Sequence, residues 1–351
     1  MEKHRFGTLD GLRGIAAFVV LIGHMSGPYY HVVPHGYLAV DLFFLMSGFV
    51  IAGAYEQKLM AGWEIRSFLA ARLKRLWPLY ALSFVVSVVC YLIMHSLRPA
   101  GNFLFPSLPL TSVVAMGLLF LPQFVRYGGG GLFPLNPAAW SLSVEIWGNL
   151  AYACVARSLS NNFFKIVIAI GAVGLAIASI RNDGLNVGVS LGDAVYGYIR
   201  YAFSFPLGVL LWRLHVAGRL PRFHVPPLLI LSIVAVLLSS LPPRSPFFDI
   251  IAVVFAFPVI LIAAVANEPG RKWAGLFAWA GAVSYPLYIL HEPITGLLFS
   301  LLLDKPWYTP LVLSLPPVFV LMAALADRLF DRPLQRWLSG RPVPLPVPSA
   351  P

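Results

Sequence analysis

The chain has 351 residues, 59% of them hydrophobic and only 11% charged, with a mean hydropathy of +0.79. Soluble chains carry about 25% charged residues, so a soluble globular enzyme is excluded, and the apolar runs lack the short alternation of barrel strands. The formal net charge of +11 points to basic loops beside a membrane rather than to nucleic acid, and two cysteines, Cys90 and Cys154, both inside apolar runs, give no reason to expect a disulfide or a metal cluster.

These features predict an all-α, polytopic helical membrane protein. In chain order the apolar runs fall near 9–28, 37–55, 76–95, 109–126, 139–157, 164–180, 194–212, 226–241, 247–266, 275–303 and 308–326. The run at 109–126 is short, bounded by Pro106, Pro109 and Pro122 and followed by a glycine run, so it is expected to lie flat or re-enter without crossing. About ten transmembrane helices then remain, with both termini cytoplasmic. In this arrangement eighteen of the 25 Lys and Arg fall inside. Five fall outside (Arg98, Arg126, Arg181, Arg244 and Lys305), and Arg13 and Arg200 lie within spans. That split follows the positive-inside rule, whereas eleven crossings would place Arg213, Arg219 and Arg222 opposite the basic stretch 58–75. No cleavable signal peptide is expected, because the first apolar segment carries Asp10, Arg13 and His24. The Pro-rich residues 341–351 are expected to form a disordered tail.

Arg13 and His24 lie eleven helical steps apart in the first run. Eleven steps of about 100° return to within about 20° of one face, with a rise of about 16 Å. Ionisable groups at membrane depth are costly and mark function by default, although a snorkelling arginine and a carbonyl-bonded histidine would look the same. Asp41 opens the second run; there a carboxylate can favour a helix N-terminus or orient His24. Ser47-Gly48 reads first as a close helix approach. Arg72 and Arg75 share a helix face, either as positive-inside decoration or as a phosphate site suited to guanidinium forks. Glu145 falls inside the run after Trp140-Ser141 and needs a partner, for which His24 is a candidate. His291 lies beside Pro286 and Pro293, which predict a broken helix lining a cavity or packed in protein; it either contacts substrate or satisfies that broken backbone.

Five segments in this order resemble acyltransferase family 3, the integral membrane acyltransferases that include O-antigen and exopolysaccharide acetyltransferases. They are Arg13 with ten residues and then His24, Asp41 to Phe49, Arg72 with Arg75, Trp140 to Glu145, and Ser284 to His291. The resemblance runs from Leu9 to Pro333; Ala70-Ala71 and Ile146 stand where members often carry arginines and an acidic residue. It implies a single transmembrane acyltransferase domain over 1–340 in a bacterial (inner) cell membrane. It also implies acetyl-CoA or another acyl-CoA as co-substrate with no metal, and a hydroxyl acceptor on a glycan or lipid-linked oligosaccharide. Arg13, Arg72 and Arg75 would hold the donor, and Trp140, Ser141, Tyr288 and His291 would contact substrate. His24 would act as general base, oriented by Glu145 or Asp41, or as a nucleophile forming an acyl-histidine. No residues remain for an appended extracytoplasmic esterase-like domain, so transfer is expected to finish within the membrane domain or on a separate protein. The alternatives are a transporter or flippase for a lipid-linked sugar and a structural subunit of a polysaccharide assembly machine. The missing inverted repeat and the ordered motifs argue against the first, and the Arg13–His24 spacing against the second.

Overall fold

The computed structural model describes residues 5–25, 31–97, 109–124, 131–157 and 160–340; the tail 341–351 lies outside them. The chain runs through α1 (Gly7–His24), a 3-10 turn (Gly36–Leu38) into α2 (Ala39–Met60), α3 (Ile65–Leu97), α4 (Leu110–Leu118) and α5 (Ala139–Val155). It continues through α6 (Asn161–Arg181), α7 (Ala194–Val216) and α8 (Pro227–Leu238). Next, α9 (Pro246–Ile251) passes through a π turn (Ala252–Ala256) into α10 (Phe257–Ala266), followed by α11 (Arg271–Leu302). Last, α12 (Tyr308–Ala326) passes through a π turn (Asp327–Asp331) into α13 (Arg332–Leu338). Among the described residues there is no strand, only an isolated bridge between Gly131 and Ser190.

Among the described residues, eight helical segments are long and apolar enough to cross a membrane. Their composition explains their placement. In α6 the exposed large apolar side chains are Phe163, Ile166, Ile170, Val173, Ile177 and Ile180, while Phe164, Gly171, Leu175 and Ala178 are buried. This apolar set recurs every three or four residues, as a lipid-facing stripe does, while the exposed polar residues Asn161, Asn162, Lys165 and Arg181 lie toward the helix ends. Two of the ten expected crossings fall on shorter helices. The run at 226–241 yields a helix of only 12 residues, starting at the Pro226-Pro227 pair and ending at Ser239. Such a helix rises about 18 Å, short of a hydrocarbon core of about 30 Å. The run at 139–157 yields 17 residues. The run at 109–126 yields a nine-residue helix, about 14 Å of rise.

Two contacts between helices fix the frame of the site. Helix α2 meets α7 where a Cβ on Gly48 would overlap the Phe205 carbonyl and one on Gly208 the Leu45 carbonyl, so the expected packing role of Ser47-Gly48 is realised through its glycine. Helix α1 lies along α11, and a Cβ on Gly281 would overlap the Asp10 side chain.

The broken helix expected at 284–293 is not found: α11 continues through both Pro286 and Pro293. Pro293 removes the donor for the Ile289 carbonyl, and Asn136 Nδ2 supplies it instead at 3.0 Å. Neighbours commonly re-satisfy such freed groups in membrane helices. Likewise Pro78 within α3 frees the Lys74 carbonyl, which accepts from Gln335 Nε2 at 2.8 Å and so ties α13 to α3. Both cysteines are free.

Candidate active site

Two cavities adjoin within the bundle. One, of about 270 Å³, is lined by Arg13, Arg72, Arg75, Ser47, Glu145 and Tyr285 among others. The other, of about 470 Å³, is lined by His24, Tyr37, Trp140, Asp183, Asn186 and Arg244 among others. One helix, α1, serves both: Arg13 opens on the first and His24 on the second.

In the arginine cavity each cation has a carboxylate. Arg13 donates to Asp10 Oδ1 at 3.0 Å, one turn back on the same helix. Arg72 donates to Glu145 Oε1 at 2.9 Å, and Ser47 Oγ donates to the same oxygen at 2.6 Å. Arg75 donates to Asp331 Oδ2 at 2.8 Å, a carboxylate delivered by the π turn that precedes α13. Only Glu145 of these acids lines the cavity, so its wall carries excess positive charge. The Nε of Arg72 is buried and has no hydrogen-bond partner. A buried unpaired guanidinium N–H is expensive, and an anion entering this cavity would give it an acceptor. At about 270 Å³ the cavity lies below the range of about 300–1,000 Å³ for drug-sized ligands, so it suits a narrow arm rather than a whole nucleotide.

The histidine cavity is organised by α1 and α11. His291 is fully buried, and His24, at 46% side-chain exposure, faces open space. With both rings neutral, the hydrogen-bond partners assign the tautomers. His291 Nδ1 lies 2.9 Å from the Leu287 carbonyl, an acceptor only, so Nδ1 carries the proton. In neutral His291, Nε2 is then an acceptor, and His24 Nδ1, 2.9 Å away, donates to it. His24 Nε2 therefore keeps its lone pair. Glu292 Oε2 lies 3.3 Å from His24 Nδ1 and 3.4 Å from His291 Nε2, buried and with no hydrogen-bond partner. Both separations are within ion-pair range.

This arrangement departs from the expected partners of His24. Glu145 is committed to Arg72 and Ser47 in the arginine cavity, because α5 faces α3 at that level. Asp41 is fully buried and accepts three bonds from Arg200, from Nε at 3.2 Å to each oxygen and from Nη2 at 2.7 Å. It lies in the first turn of α2, where a carboxylate suits the helix N-terminus. Arg200 also donates to the Val187 and Tyr37 carbonyls and stands over the Trp140 ring at 5.4 Å. Asp41, Arg200 and Trp140 thus brace the wall of the histidine cavity. Ser141 Oγ and Tyr288 Oη lie 2.7 Å apart. Sequence reasoning missed Glu292, Arg200 and Asn136 as partners. Glu292 adjoins His291, and Arg200 is a lone cation within an apolar run that needs a counter-ion, so both left a signal; Asn136 left only its place before Pro137.

The protein is thus a multi-pass helical protein with cations gathered around one cavity and a His–His–Glu group beside its neighbour. The acyltransferase domain of family 3 matches residues 6–327, and the chain belongs to that family. It is 37% identical to protein 2 in the picA locus of Rhizobium radiobacter, over 50% of this chain and 95% of that one. It is 25% identical to the peptidoglycan O-acetyltransferase OatA of Listeria monocytogenes, over 94% of this chain and 56% of that one. It is 24% identical to the O-acetyltransferase OatA of Staphylococcus aureus, over 93% and 57%. The chain thus spans little more than half the length of these O-acetyltransferases. No solved structure matches.

Proposed function

We propose that the protein is a membrane O-acyltransferase that moves an acetyl group from cytoplasmic acetyl-CoA to a hydroxyl of a glycan or lipid-linked oligosaccharide at a bacterial cell (inner) membrane. The observation that carries this reading is the contact chain Leu287–His291–His24, which in neutral rings leaves His24 Nε2 as a lone-pair nitrogen on a polar cavity. The naming of relatives as O-acetyltransferases supports it.

The donor's phosphates are held at the mouth of the arginine cavity by Arg72 and Arg75, with Arg13 beside them, and its arm runs along α1 toward His24. The acceptor enters the histidine cavity, where Asp183, Asn186 and Tyr37 offer the polar groups a sugar needs. His24 Nε2 takes the proton of the acceptor hydroxyl as its oxygen attacks the thioester carbonyl. The C–S bond breaks, and the departing thiolate takes the proton from the imidazolium. Glu292 stabilises that imidazolium, the role a buried carboxylate plays beside a catalytic histidine elsewhere. Asp41 contributes through the wall it holds with Arg200.

The test is acetyl transfer by the purified full chain, with radiolabelled acetyl-CoA and extracted cell-envelope glycans as acceptor. Label appearing in glycan supports the reading. Absence of both transfer and hydrolysis with acceptor present overturns it in favour of transport.

A further inference from the structure

The two cavities have separate linings except at two side chains, Val40 of α2 and Tyr288 of α11, which belong to both. Val40 is 7% and Tyr288 8% exposed, so the partition between arginine side and histidine side is made by this pair. Tyr288 is held at both ends. Its ring meets Phe43 edge-on, with centroids 5.6 Å apart. Its hydroxyl lies 2.7 Å from Ser141 Oγ, which itself donates to the Ala138 carbonyl. Val40, the other side chain common to both linings, is β-branched and has little rotamer freedom in a helix. Tyr288 lies one helical turn before His291 and Glu292, so the partition stands directly ahead of the His24 group.

We propose that Val40 and Tyr288 form the aperture through which the acyl thioester passes from the arginine cavity to His24, and that its width selects the acyl group. The proposal rests on the reading above that a thioester donor enters on the arginine side. The cysteamine and β-alanine end of a pantetheine arm and a straight acyl group are one methylene chain wide. An α-branched acyl group is wider by a methyl and must displace a ring that Ser141 and Phe43 hold in place. A single methyl in an apolar pocket is worth roughly 10–200-fold in discrimination, so this pair is sufficient to set donor preference.

The experiment compares acetyl-CoA with isobutyryl-CoA as donors for the full-length wild type, Val40→Ala and Val40→Phe, and measures equilibrium binding of CoA to each. In Val40→Ala the isobutyryl-to-acetyl turnover ratio is expected to rise at least tenfold; a ratio within one preparation does not depend on how much protein folds. In Val40→Phe acetyl transfer is expected to fall at least tenfold while CoA binding stays within about twofold. An unchanged ratio in Val40→Ala, or wild-type acetyl transfer by Val40→Phe, overturns the aperture alone. A wild type that turns over no acetyl-CoA overturns the donor reading and the aperture with it.

Discussion

Glu292 Oε2 sits 3.3 Å from His24 Nδ1, on the helix that also supplies His291. That oxygen is buried, has no hydrogen-bond partner, and faces the ring from the side opposite its lone-pair nitrogen. Its charge therefore has most to stabilise when His24 is protonated, which in the proposed reaction occurs only as the acceptor is activated.

Glu292→Gln keeps the volume and removes that charge. We expect kcat to fall about ten- to hundredfold, roughly 1.4–2.7 kcal/mol of transition-state stabilisation, with the KM for acetyl-CoA within about twofold. Steady-state kinetics on the purified variant measure both. A variant with altered KM and unchanged kcat would place Glu292 in donor binding instead.

The arginine cavity predicts the opposite split. Arg72→Ala and Arg75→Ala each remove a charge-assisted donor, worth about 1.5–3 kcal/mol, so each is expected to raise the KM for acetyl-CoA about tenfold or more. Glu145→Gln releases Arg72 from its present partner and is expected to lower that KM. Titration with CoA as a competitive inhibitor checks the binding part separately from turnover.

Asp41 and Arg200 form a buried ion pair, at 0% and 2% side-chain exposure. Breaking one partner of such a pair costs about 3–5 kcal/mol, whereas replacing both by apolar groups is often near neutral. Asp41→Ala is therefore expected to lower the thermal unfolding temperature in detergent sharply, and Asp41→Ala with Arg200→Met to recover most of it. A double variant as unstable as the single one would mean that the arginine's other bonds, to the Val187 and Tyr37 carbonyls, hold the wall.

What the sequence revealed was local. The eleven-step spacing that puts Arg13 and His24 on one helix face is a property of a single helix, and α1 runs unbroken through both. The stripes of apolar residues marked the membrane helices, and the glycine of Ser47-Gly48 marked a close approach. Pairing across the bundle was not legible. His24 and His291 are 267 positions apart, and Asp41 and Arg200 159; every buried acid in the chain could have been assigned to any buried cation. The prolines of α11 misled for the same reason. Pro293 does free a carbonyl, but the donor that keeps the helix whole comes from Asn136, 153 positions away. Helix length was legible only where no proline or loop residue trimmed the apolar run, as the 12 residues of α8 show.

The central claim is that His24 Nε2 removes the acceptor's proton, and the most direct measurement is glycan acetylation by His24→Gln beside the wild type, both in proteoliposomes and both shown by CoA binding to be folded. General base catalysis contributes about 10²–10⁴-fold, so the account predicts a loss of at least a hundredfold in transfer with CoA binding retained. Transfer within a few-fold of wild type in a variant that cannot accept that proton would contradict it.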